Sequence, residues 1–488
     1  MKTFWRSLLT ALKITLIVLI VVAVIGAGVL AWLSFQVGGE ESSPLLSAIE
    51  GLLPTRATEP TEPIINFTEP ETEPTPPPTT LPPEPDPEHV VSRATIAATG
   101  DMLMHKPVFD TALQPDGSYN FDYIFNYLSE YSHAADYAIA NLETTLCGTT
   151  NGYPYKGYPQ FNCPDEIVDG LRSAGFDMLL TANNHSYDTG QVGYFRTIET
   201  VRGKGLQTLG TMLNAEEPKY SIQEINGIRV GMVCYTYEGR PEGAMAGRVY
   251  LNGIPMHQGG EAVINTFLPT NPEPFYTEVA GYLDEMKAQG AEATVLFVHW
   301  GVEYTTTPVA HQTQIAQKLC DLGFDVIVGG HPHVVEPVQL LTSTVDPAHK
   351  TVCLYSMGNA VSNQRANILT SHPSGHTEDG VWFTMTFSKY SDGTVYLEDV
   401  DLIPCWVDLR TTNGRKYFIL PLDGSRMDQW QELLELSDVG LGAAKRSYER
   451  TMAIVGAGLT ESRDYLAQQK EAREAEYWAE AVQRLYAA

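Results

Sequence analysis

The sequence predicts a layered α/β domain that follows a transmembrane helix and a stalk. Three observations lead to this architecture: strand-like apolar runs alternate with helix-length segments, polar motifs follow several of those runs, and a long uncharged apolar run lies near the N-terminus. The expected segments are a cytoplasmic N-terminus at 1–13, a transmembrane helix at 14–35, an extracellular Thr/Glu/Pro-rich linker at 36–91, the main domain at 92–425 and a helical C-terminal tail at 426–488.

The predicted membrane anchor is a run of 22 predominantly apolar residues, 14–35, without a charge. At about 1.5 Å per residue such a helix crosses a hydrocarbon core of roughly 30 Å. Lys2, Arg6 and Lys13 precede the run, so the positive-inside bias predicts a single-pass cell-membrane protein with a cytoplasmic N-terminus and an extracellular main domain. A cleaved signal peptide is the competing interpretation, but its apolar part usually has only about 7–15 residues.

The segment after the anchor is rich in threonine, glutamate and proline, and it contains Thr-Glu-Pro triplets that begin at residues 58, 61, 68 and 72. Such a composition buries too little apolar surface to offset the entropy of ordering, and its prolines favour polyproline II. We expect a semi-stiff stalk that holds the main domain up to roughly 100 Å from the membrane. A featureless linker is equally compatible with this composition.

Composition excludes several function classes. Lys plus Arg is 31 against 59 for Asp plus Glu, the formal charge is −28, and no basic stripe follows the anchor, so we expect no nucleic-acid binding. The six cysteines form no Cys-x-x-Cys pair, which excludes a zinc ribbon or a thioredoxin-like motif. Cys147 and Cys163 flank a loop rich in glycine and tyrosine, and they are compatible with an extracellular disulfide.

The main domain alternates predicted strands with predicted helices. The predicted strands are at 95–99, 137–140, 178–181, 229–235, 294–298, 326–328, 352–355 and 381–387. The predicted helices are at 165–174, 193–204, 274–289 and 309–322. In open α/β sheets ligands gather beyond the carboxyl ends of the strands, where the polar motifs of this chain fall. From about residue 427 onward the chain is predicted to be helical, either packed on the domain or binding a partner.

Carboxylates follow the first two predicted strands. Asp101 comes after Ile-Ala-Ala-Thr-Gly, in which Gly100 is expected to let the backbone turn so that the carboxylate projects at the edge of the sheet. Glu143 follows Tyr-Ala-Ile-Ala-Asn-Leu, and together the two would supply the anionic half of a metal site. Taken alone, each is also compatible with an ordinary cap, turn or surface charge.

The later motifs add amides and imidazoles. Three hydrogen-bonding residues after a buried strand, Asn183, Asn184 and His185, would be costly unless their polar groups were satisfied, and a polar turn is the alternative. Asp188 is a candidate to orient a histidine. The second half of the domain supplies His299, Glu303, His331, His333 and Asn359, with a proline stiffening the spacing between the last two histidines.

Taken in order, these motifs resemble a known family. They are Thr-Gly-Asp-Met, Asn-Leu-Glu, Ala-Asn-Asn-His, His-Trp-Gly-Val-Glu-Tyr, Gly-Gly-His-Pro-His-Val and Tyr-Ser-Met-Gly-Asn, and between residues 95 and 361 they resemble the signature series of the CapA family of poly-gamma-glutamate capsule biosynthesis proteins. That family is similar to calcineurin-like metallophosphoesterases, which implies a four-layer α/β/β/α sandwich. It also implies one or two divalent metal ions, for which manganese, iron or zinc would suit the mixed ligands.

The resemblance implies roles for individual residues. Asp101 and Glu143 are expected as carboxylate ligands, with Glu143 standing where a bridging aspartate is usual, and His333 as a further ligand of the first metal. Ligands of the second metal are expected to be Asn184, His299 and His331. The resemblance also makes His185 the acid near the leaving group. From the residues themselves we expect Asp188 to be catalytic with it, and Asn183, Glu303 and Asn359 to bind substrate. The motif of Asn359 is also compatible with an ordinary strand-to-loop exit.

One departure from the metallophosphoesterase pattern weakens the expected first metal site. That pattern has Asp-x-His at its first motif, whereas Leu103 stands two residues after Asp101 and His105 lies further along. The first site is therefore expected to be weak, single or empty.

The resulting functional expectation is a membrane-anchored cell-surface enzyme of poly-gamma-glutamate capsule or related exopolymer biosynthesis and export, with a metal-dependent, phosphoesterase-like hydrolase site. Expected partners are an anionic or wall-associated polymer and capsule-synthesis membrane proteins. The acidic chain fits a polyanion only if metals or a basic pocket of Lys106, Lys156 or Arg240 offset its charge. The alternative is a non-catalytic polymer-binding or assembly protein that retains the fold.

Overall fold

The structure is a computed structural model, and it describes residues 90–487 apart from 151 and 413. The predicted transmembrane helix and stalk lie outside the described residues. Within the described part of the chain, no helix combines the length and apolar character needed to cross a membrane.

Strands and helices alternate through most of the described chain. In chain order the strands are β1 (Val90–Met102), β2 (Tyr137–Asn141), β3 (Met178–Leu180), β4 (Gln207–Leu209), β5 (Ser221–Ile225), β6 (Ile228–Tyr237), β7 (Tyr250–Leu251), β8 (Ile254–Pro255), β9 (Thr266–Phe267), β10 (Ala293–His299), β11 (Val326–Gly330), β12 (Val338–Thr342), β13 (Lys350–Leu354), β14 (Asn359–Val361), β15 (Asp379–Tyr390), β16 (Val395–Arg410) and β17 (Lys416–Pro421). The α-helices are α1 (Lys106–Phe109), α2 (Ser129–Ala134), α3 (Glu166–Ser173), α4 (Gly190–Gly203), α5 (Glu273–Ala288), α6 (Ala310–Leu322), α7 (Trp430–Leu433) and α8 (Asp438–Ala487).

Two mixed sheets form the framework. The first has the order β17-β16-β15-β1-β2-β3-β4, with β14 also paired to β1, and the strands from β1 to β4 run parallel. The second has the order β12-β13-β11-β10-β6-β5, with β9 paired to β6, and its four strands β13, β11, β10 and β6 run parallel. A separate hairpin pairs β7 with β8.

The two sheets pack face to face, and helices cover their outer faces. The core between the sheets contains residues such as Ile96 and Ala98 of β1 together with Val295 and Phe297 of β10. Alternate residues of the first sheet pack against α1 and α3, and alternate residues of the second pack against α5 and α6. Successive side chains of each strand point to opposite faces of its sheet, so one set packs between the sheets and the other packs against helices. The result is four layers, helix, sheet, sheet and helix, as the layered α/β prediction requires.

Every predicted strand of the main domain coincides with an observed strand, and the four predicted helices correspond to α3, α4, α5 and α6. The prediction missed nine of the described strands: β4, β5, β7, β8, β9, β12, β14, β16 and β17. In the first half of β16 buried positions alternate with partly exposed ones, which include Asp399 and Asp401, because this antiparallel strand has one face turned away from the core. Such a strand lacks the continuous apolar run by which the buried parallel strands were found.

The expected turn at Gly100 is wrong, because β1 continues through Gly100 and Asp101 to Met102. The glycine is needed for a different reason. A Cβ atom at position 100 would lie 1.9 Å from the Gly358 carbonyl oxygen, and the Asp101 amide donates to that oxygen at 2.9 Å. Close approach between β1 and the chain before β14 therefore fixes where the Asp101 carboxylate stands.

The C-terminal helix α8 packs on β16 of the first sheet and β12 of the second. Its residues Val455, Leu459 and Leu466 are part of the core between the sheets. Cys147 and Cys163 are both buried, and no disulfide joins them.

Candidate metal centre

The carboxyl ends of the parallel strands bring the predicted ligands together from both sheets. Asp101 lies in the last part of β1 and Glu143 follows β2, whereas His299 ends β10 and His331 and His333 follow β11. All five side chains are buried, with at most 4% of each residue exposed. The site therefore lies where the two sheets meet, which is the edge that the strand order predicts for ligands.

These five residues form two groups that share one carboxylate. Glu143, His299 and His331 make one group, and Asp101, Glu143 and His333 make the other; within each group the candidate ligand atoms lie within 4.8 Å of one another. Glu143 is the only residue among these five that belongs to both groups, so it would be the shared ligand if each group held an ion. Carboxylate and imidazole together suit manganese, iron or zinc.

The hydrogen bonding of Glu143 fits a metal-binding role. Both of its carboxylate oxygens are buried without a hydrogen-bond partner, and Nδ1 of His331 is also buried without one. Its nearest charged neighbours are imidazole nitrogens, with Oε1 at 3.4 Å from Nε2 of His299 and 3.9 Å from Nε2 of His333. Because buried carboxylates are normally satisfied, these orphaned atoms fit a site built to bind metal ions.

The electrostatics of the site shift the pKa values of His331 and His333 in opposite directions. Burial lowers the pKa of His331 well below its usual range, and the nearby His299 and His333 lower it further, which favours the neutral imidazole that a metal ligand requires. Burial also lowers the pKa of His333, but the charge of Glu143 and the hydrogen bond to Asp101 outweigh burial and raise it to about 9. Burial raises the pKa of Asp101, and the hydrogen bond and charge of His333 outweigh that and lower it.

The remaining predicted ligand, Asn184, lies beside His299. Oδ1 of Asn184 is 2.9 Å from Nε2 of His299, so an amide oxygen joins the group of Glu143, His299 and His331. The Tyr237 ring is parallel to the His299 ring at 6.4 Å between centroids and lies 4.7 Å from the His331 ring. Burial and the charges of nearby glutamates raise the pKa of Tyr237, whereas its hydrogen bond with Asn184 lowers it. Tyr237 therefore contacts every non-carboxylate member of this group.

The histidine turn after β11 has an unusual backbone. His331 has φ 98° and His333 has φ 56°, in the left-handed region that side chains other than glycine rarely adopt. Asn359 supports this turn, because its Nδ2 donates to the carbonyl oxygen of His333 at 3.1 Å. Strain of this kind persists where the surroundings hold it, and it clusters at ligand-binding sites.

His185 and Asp188 form a buried pair next to the two metal groups. Nδ1 of His185 is 2.7 Å from Oδ2 of Asp188, and the Phe161 amide donates to the same oxygen at 2.6 Å. Burial lowers the pKa of His185, but the hydrogen bond and charge of Asp188, followed by the charge of Glu143, outweigh burial and raise it. The pair thus has the arrangement of an imidazole oriented by a carboxylate.

The three predicted substrate-binding residues occupy different surroundings. Asn183 is buried and its Nδ2 donates to Asn141 Oδ1 at 3.1 Å and to the Leu142 carbonyl at 2.9 Å, so it holds the strand ends together. Asn359 is also buried and supports the His333 turn. Glu303 is exposed in the loop after β10. A direct contact of any of the three with substrate stays a prediction.

The position two residues after Asp101 supplies no ligand. Leu103 is buried, and the Nδ1 atom of His105 lies 3.2 Å from the Leu103 carbonyl oxygen and accepts from the Asn363 amide at 3.3 Å. Within the described residues, His105 belongs to neither metal group. The group of Asp101, Glu143 and His333 therefore has no second histidine.

Carboxylates lie next to two of the three residues of the expected basic pocket, Lys106, Lys156 and Arg240. Nζ of Lys106 lies 2.6 Å from Oδ1 of Asp110, and Nη2 of Arg240 lies 3.1 Å from Oε1 of Glu238. The charges of Lys106 and Arg240 are thus already paired with carboxylates.

Sequence reasoning missed three polar residues around the site. Asn141 donates from Nδ2 to Asp101 Oδ1 at 2.7 Å, and its place in the Asn-Leu-Glu motif was the signal that could have found it. Tyr237 ends β6, a strand parallel to β10, so its position at the same sheet edge was a second usable signal. Asn252 contacts Asp188 from the hairpin of β7 and β8, and its Asn-Gly sequence indicates only a turn.

Comparison with known proteins places these residues in a family. Residues 95–364 match the family model described as bacterial capsule synthesis protein PGA_cap. The capsule biosynthesis protein CapA of Bacillus anthracis is 28% identical over 275 residues, which cover 56% of this chain and 60% of that protein. The PGA biosynthesis protein CapA of Bacillus subtilis (strain 168) is 30% identical over 269 residues, which cover 54% of this chain and 62% of that protein.

The matched region is thus less than two thirds of the length of either relative. Among solved structures, a putative 5'-nucleotidase from Staphylococcus aureus in complex with alpha-ketoglutarate matches with a TM-score of 0.37 and 13% identity, covering 73% of this chain and 58% of that one. The family model spans more than half of the present chain and includes all the candidate ligands. The chain therefore belongs to the PGA_cap family of bacterial capsule synthesis proteins.

Proposed function

We propose that this protein is a metal-dependent hydrolase with a phosphoesterase-like site that acts in the biosynthesis or export of a poly-gamma-glutamate capsule or a related exopolymer. The observation that carries the proposal is Glu143, a buried carboxylate shared by two ligand groups and left without hydrogen-bond partners. A protein with no use for metal ions would gain nothing from keeping this carboxylate buried without a hydrogen-bond partner.

The architecture supports assignment to the metallophosphatase type. Two face-to-face sheets between helical layers present their parallel strand ends at one edge, and each sheet contributes ligands to both metal groups. A two-metal hydrolase needs ligands from several strand ends that are held rigidly by the sheets behind them. Here the candidate ligands lie at the ends of β1, β2, β10 and β11, so they come from several strands of both sheets.

Two divalent ions held by these groups would supply the Lewis acidity that activates a water molecule and stabilises the charge that develops on a substrate oxygen. The protein's own contribution on the leaving-group side is His185. Its Nδ1 faces the Asp188 carboxylate, so Nε2 is the ring atom that can hand a proton to a leaving group. Phosphoester and amide hydrolysis both fit this arrangement.

The predicted location completes the proposal. The uncharged run at 14–35 and the basic residues before it support a cell-surface domain on a membrane anchor, close to wall-associated polymer and to capsule-synthesis membrane proteins. Fractionation of the producing cells tests this part. Protein recovered in the membrane fraction with an intact N-terminus supports the anchor, and trimmed protein in the medium contradicts it.

One observation favours a second function, a non-catalytic polymer-binding or assembly protein. Leu103 is buried where the metallophosphoesterase pattern has a histidine ligand, so the group of Asp101, Glu143 and His333 has one ligand fewer. A scaffold needs neither metal. The buried carboxylate of Glu143, which has no hydrogen-bond partner, argues against this alternative.

The deciding experiment is metal analysis of the purified full chain, followed by hydrolysis assays with aryl phosphates and poly-gamma-glutamate. Near-stoichiometric metal that is lost in the His331→Ala, His333→Ala double variant, together with hydrolysis that depends on that metal, would support the enzyme. Wild-type protein that stays empty when manganese, iron or zinc is supplied would favour the scaffold.

A further inference from the structure

The hairpin of β7 and β8 reaches the His185–Asp188 pair with one side chain. Its tip is the Asn252-Gly253 turn, in which Asn252 has φ 48° and Gly253 has φ 73°. Nδ2 of Asn252 donates to Oδ1 of Asp188 at 3.0 Å and to the Pro159 carbonyl oxygen at 2.9 Å. The hairpin pairs with neither main sheet, so this contact comes from a separate element laid over the strand ends.

Asn252 completes the set of donors around Asp188. Oδ2 accepts from the Phe161 amide at 2.6 Å and lies 2.7 Å from Nδ1 of His185, while Oδ1 accepts from Asn252. A carboxylate held through both oxygens cannot rotate without losing at least one of these bonds. Nδ2 of Asn252 also lies 3.3 Å from Nδ1 of His185, so the amide borders the imidazole directly.

The hairpin is anchored firmly enough to hold its tip in place. Leu251 and Met256 are buried in the core between the sheets, and the Met256 amide donates to the Val249 carbonyl at 2.9 Å. A second tie follows the hairpin, because the His257 amide donates to the Tyr187 hydroxyl at 3.1 Å. The hairpin is therefore attached to the segment that contains His185 and Asp188 by Asn252 at its tip and by His257 after β8.

We propose that Asn252 is a positioning residue for the reaction, which holds Asp188 and through it the orientation of the His185 imidazole. The inference rests on the proposed hydrolase function, in which His185 faces the leaving group. The hairpin of β7 and β8 would then form the leaving-group side of the site. Loss of the amide frees Oδ1 of Asp188 and lets the imidazole adopt further orientations.

The chain contains a matched control for this residue. Asn226-Gly227 forms the turn between β5 and β6, with φ 49° and 77°, and its Nδ2 donates to the Arg93 carbonyl oxygen. An Asn→Gly substitution keeps a positive φ at either turn and removes only the side chain. Asn252→Gly and Asn226→Gly thus make the same backbone change, but only the first removes a contact with Asp188.

The test compares the metal-loaded full chain as wild type, Asn252→Gly, Asn226→Gly and Asn252→Asp. Steady-state rates are measured with p-nitrophenyl phosphate, which has a good leaving group, and with phenyl phosphate, which has a poor one. Crystal structures of wild type and Asn252→Gly give the His185 orientation without reference to activity, and elemental analysis gives the metal content.

For Asn252→Gly we expect unchanged metal content, an unchanged KM and a kcat toward phenyl phosphate reduced about tenfold, with a smaller loss toward p-nitrophenyl phosphate. Asn252→Asp should lose more, because it places a second carboxylate beside Asp188, and Asn226→Gly should match the wild type. The crystal structure of Asn252→Gly should show the His185 ring in more than one orientation or turned away from Asp188.

Equal rates for Asn252→Gly and wild type, or equal losses for both glycine variants, would overturn the proposal. If the wild type hydrolyses neither phosphate ester, the proposed phosphoesterase function fails separately. The crystal structures then decide the positioning role alone. A single His185 orientation that keeps the 2.7 Å contact with Asp188 in Asn252→Gly would reject it.

Discussion

Glu143 links the two ligand groups, and this gives its removal a different effect from the removal of a histidine. Glu143→Gln keeps the size of the side chain but removes the charge shared by both groups. We expect metal affinity to fall in both groups by more than the roughly 10–100-fold that loss of an outer-sphere partner costs. Elemental analysis after dialysis against limiting metal measures this loss.

Single-histidine variants and an exposed glutamate are the controls for that prediction. His331→Ala should remove only the ion held with His299, because His331 belongs to one group. The exposed Glu303→Gln should leave the metal content unchanged. Metal content in Glu143→Gln equal to that of wild type would show that Glu143 is not a ligand.

Tyr237 leads to a second prediction at the residue scale. Its ring faces His299 and His331, and its hydroxyl hydrogen-bonds with Asn184, so it holds three ligands of one group from outside. Tyr237→Phe should weaken the affinity of that group for manganese or zinc about tenfold while leaving the other group intact. Isothermal titration calorimetry of the metal-free protein measures both affinities.

The same strand contains the control for Tyr237. The Tyr235 hydroxyl donates to Glu278 at 2.9 Å on the side of β6 that faces the helices, so Tyr235→Phe removes a buried hydroxyl away from the metal groups. Equal metal affinities in Tyr235→Phe and Tyr237→Phe would contradict a specific role of Tyr237 in holding the ligands.

Individual ligands were predictable from sequence because each one follows an apolar run, and strand ends meet at one edge. Residues that orient the ligands were not. Tyr237 is one of 25 tyrosines in the chain, and its place just after a predicted strand does not by itself show that its ring contacts His299 and His331. Asn252 lies 64 residues after Asp188 in an inserted hairpin, and only the folded chain brings the two together.

At the scale of elements, the contact between α8 and β12 depends on a glycine. A Cβ atom at Gly458 would stand 1.7 Å from the Val338 carbonyl oxygen, whereas one at Gly456 would meet nothing closer than 3.6 Å. Gly456→Ala should stabilise the protein by about 0.5–1 kcal/mol, as expected for a helix interior. Gly458→Ala should instead destabilise it by about 1–3 kcal/mol because the helix must move off the strand.

Urea denaturation of the two variants measures this difference. The sign is the decisive quantity, since helix propensity alone favours alanine at both positions. Two stabilised variants would mean that α8 does not pack closely on β12 in solution.

A buried carboxyl ties α6 to the chain after the histidine turn. Nε2 of Gln312 in α6 donates to Oε2 of Glu336 at 2.6 Å, and Oε1 of Glu336 has no hydrogen-bond partner. Burial raises the pKa of Glu336 to about 8, against the opposing effect of the Gln312 hydrogen bond. The unfolded chain releases this proton first, so the group destabilises the fold increasingly as the pH rises from about 4.5 to about 8.

Glu336→Gln should remove that pH dependence. The stability of the variant relative to wild type should increase across this pH window, by an amount on the order of a few kcal/mol at its upper end. Urea denaturation at several pH values measures it, with the exposed Glu432→Gln as control. A constant difference between Glu336→Gln and wild type at all pH values would show that Glu336 does not titrate in this range.

The parallel strands and their helices were predictable because burial on both faces gives continuous apolar runs. The antiparallel strands β16 and β17 were not predicted, although each follows its pairing partner after a short connection. Partly exposed Asp399 and Asp401 interrupt the apolar sequence of β16, whereas β17 is a short apolar run that the prediction overlooked. The small strands β7, β8, β9 and β14 have only two or three residues each, too few for a periodic signal.

At the scale of the whole molecule, the metal groups join the two sheets. Each group combines carboxylates from the first sheet with at least one histidine from the second, so a bound ion links both halves of the sandwich. Its binding free energy then adds to folding stability because the unfolded chain does not assemble the ligands. Without an ion, both carboxylate oxygens of Glu143 would stay buried with no hydrogen-bond partner.

Removal of metal should therefore lower the free energy of unfolding of the entire described domain. At free metal about 100–1,000 times the dissociation constant, linkage predicts a loss of roughly 3–4 kcal/mol on chelation for each ion. Urea denaturation with added manganese and with chelator measures it. The His331→Ala, His333→Ala double variant should give the same curve under both conditions, since it lacks a histidine in each group. Wild-type curves that superimpose would mean that no ion joins the sheets, whatever metal the purified protein contains.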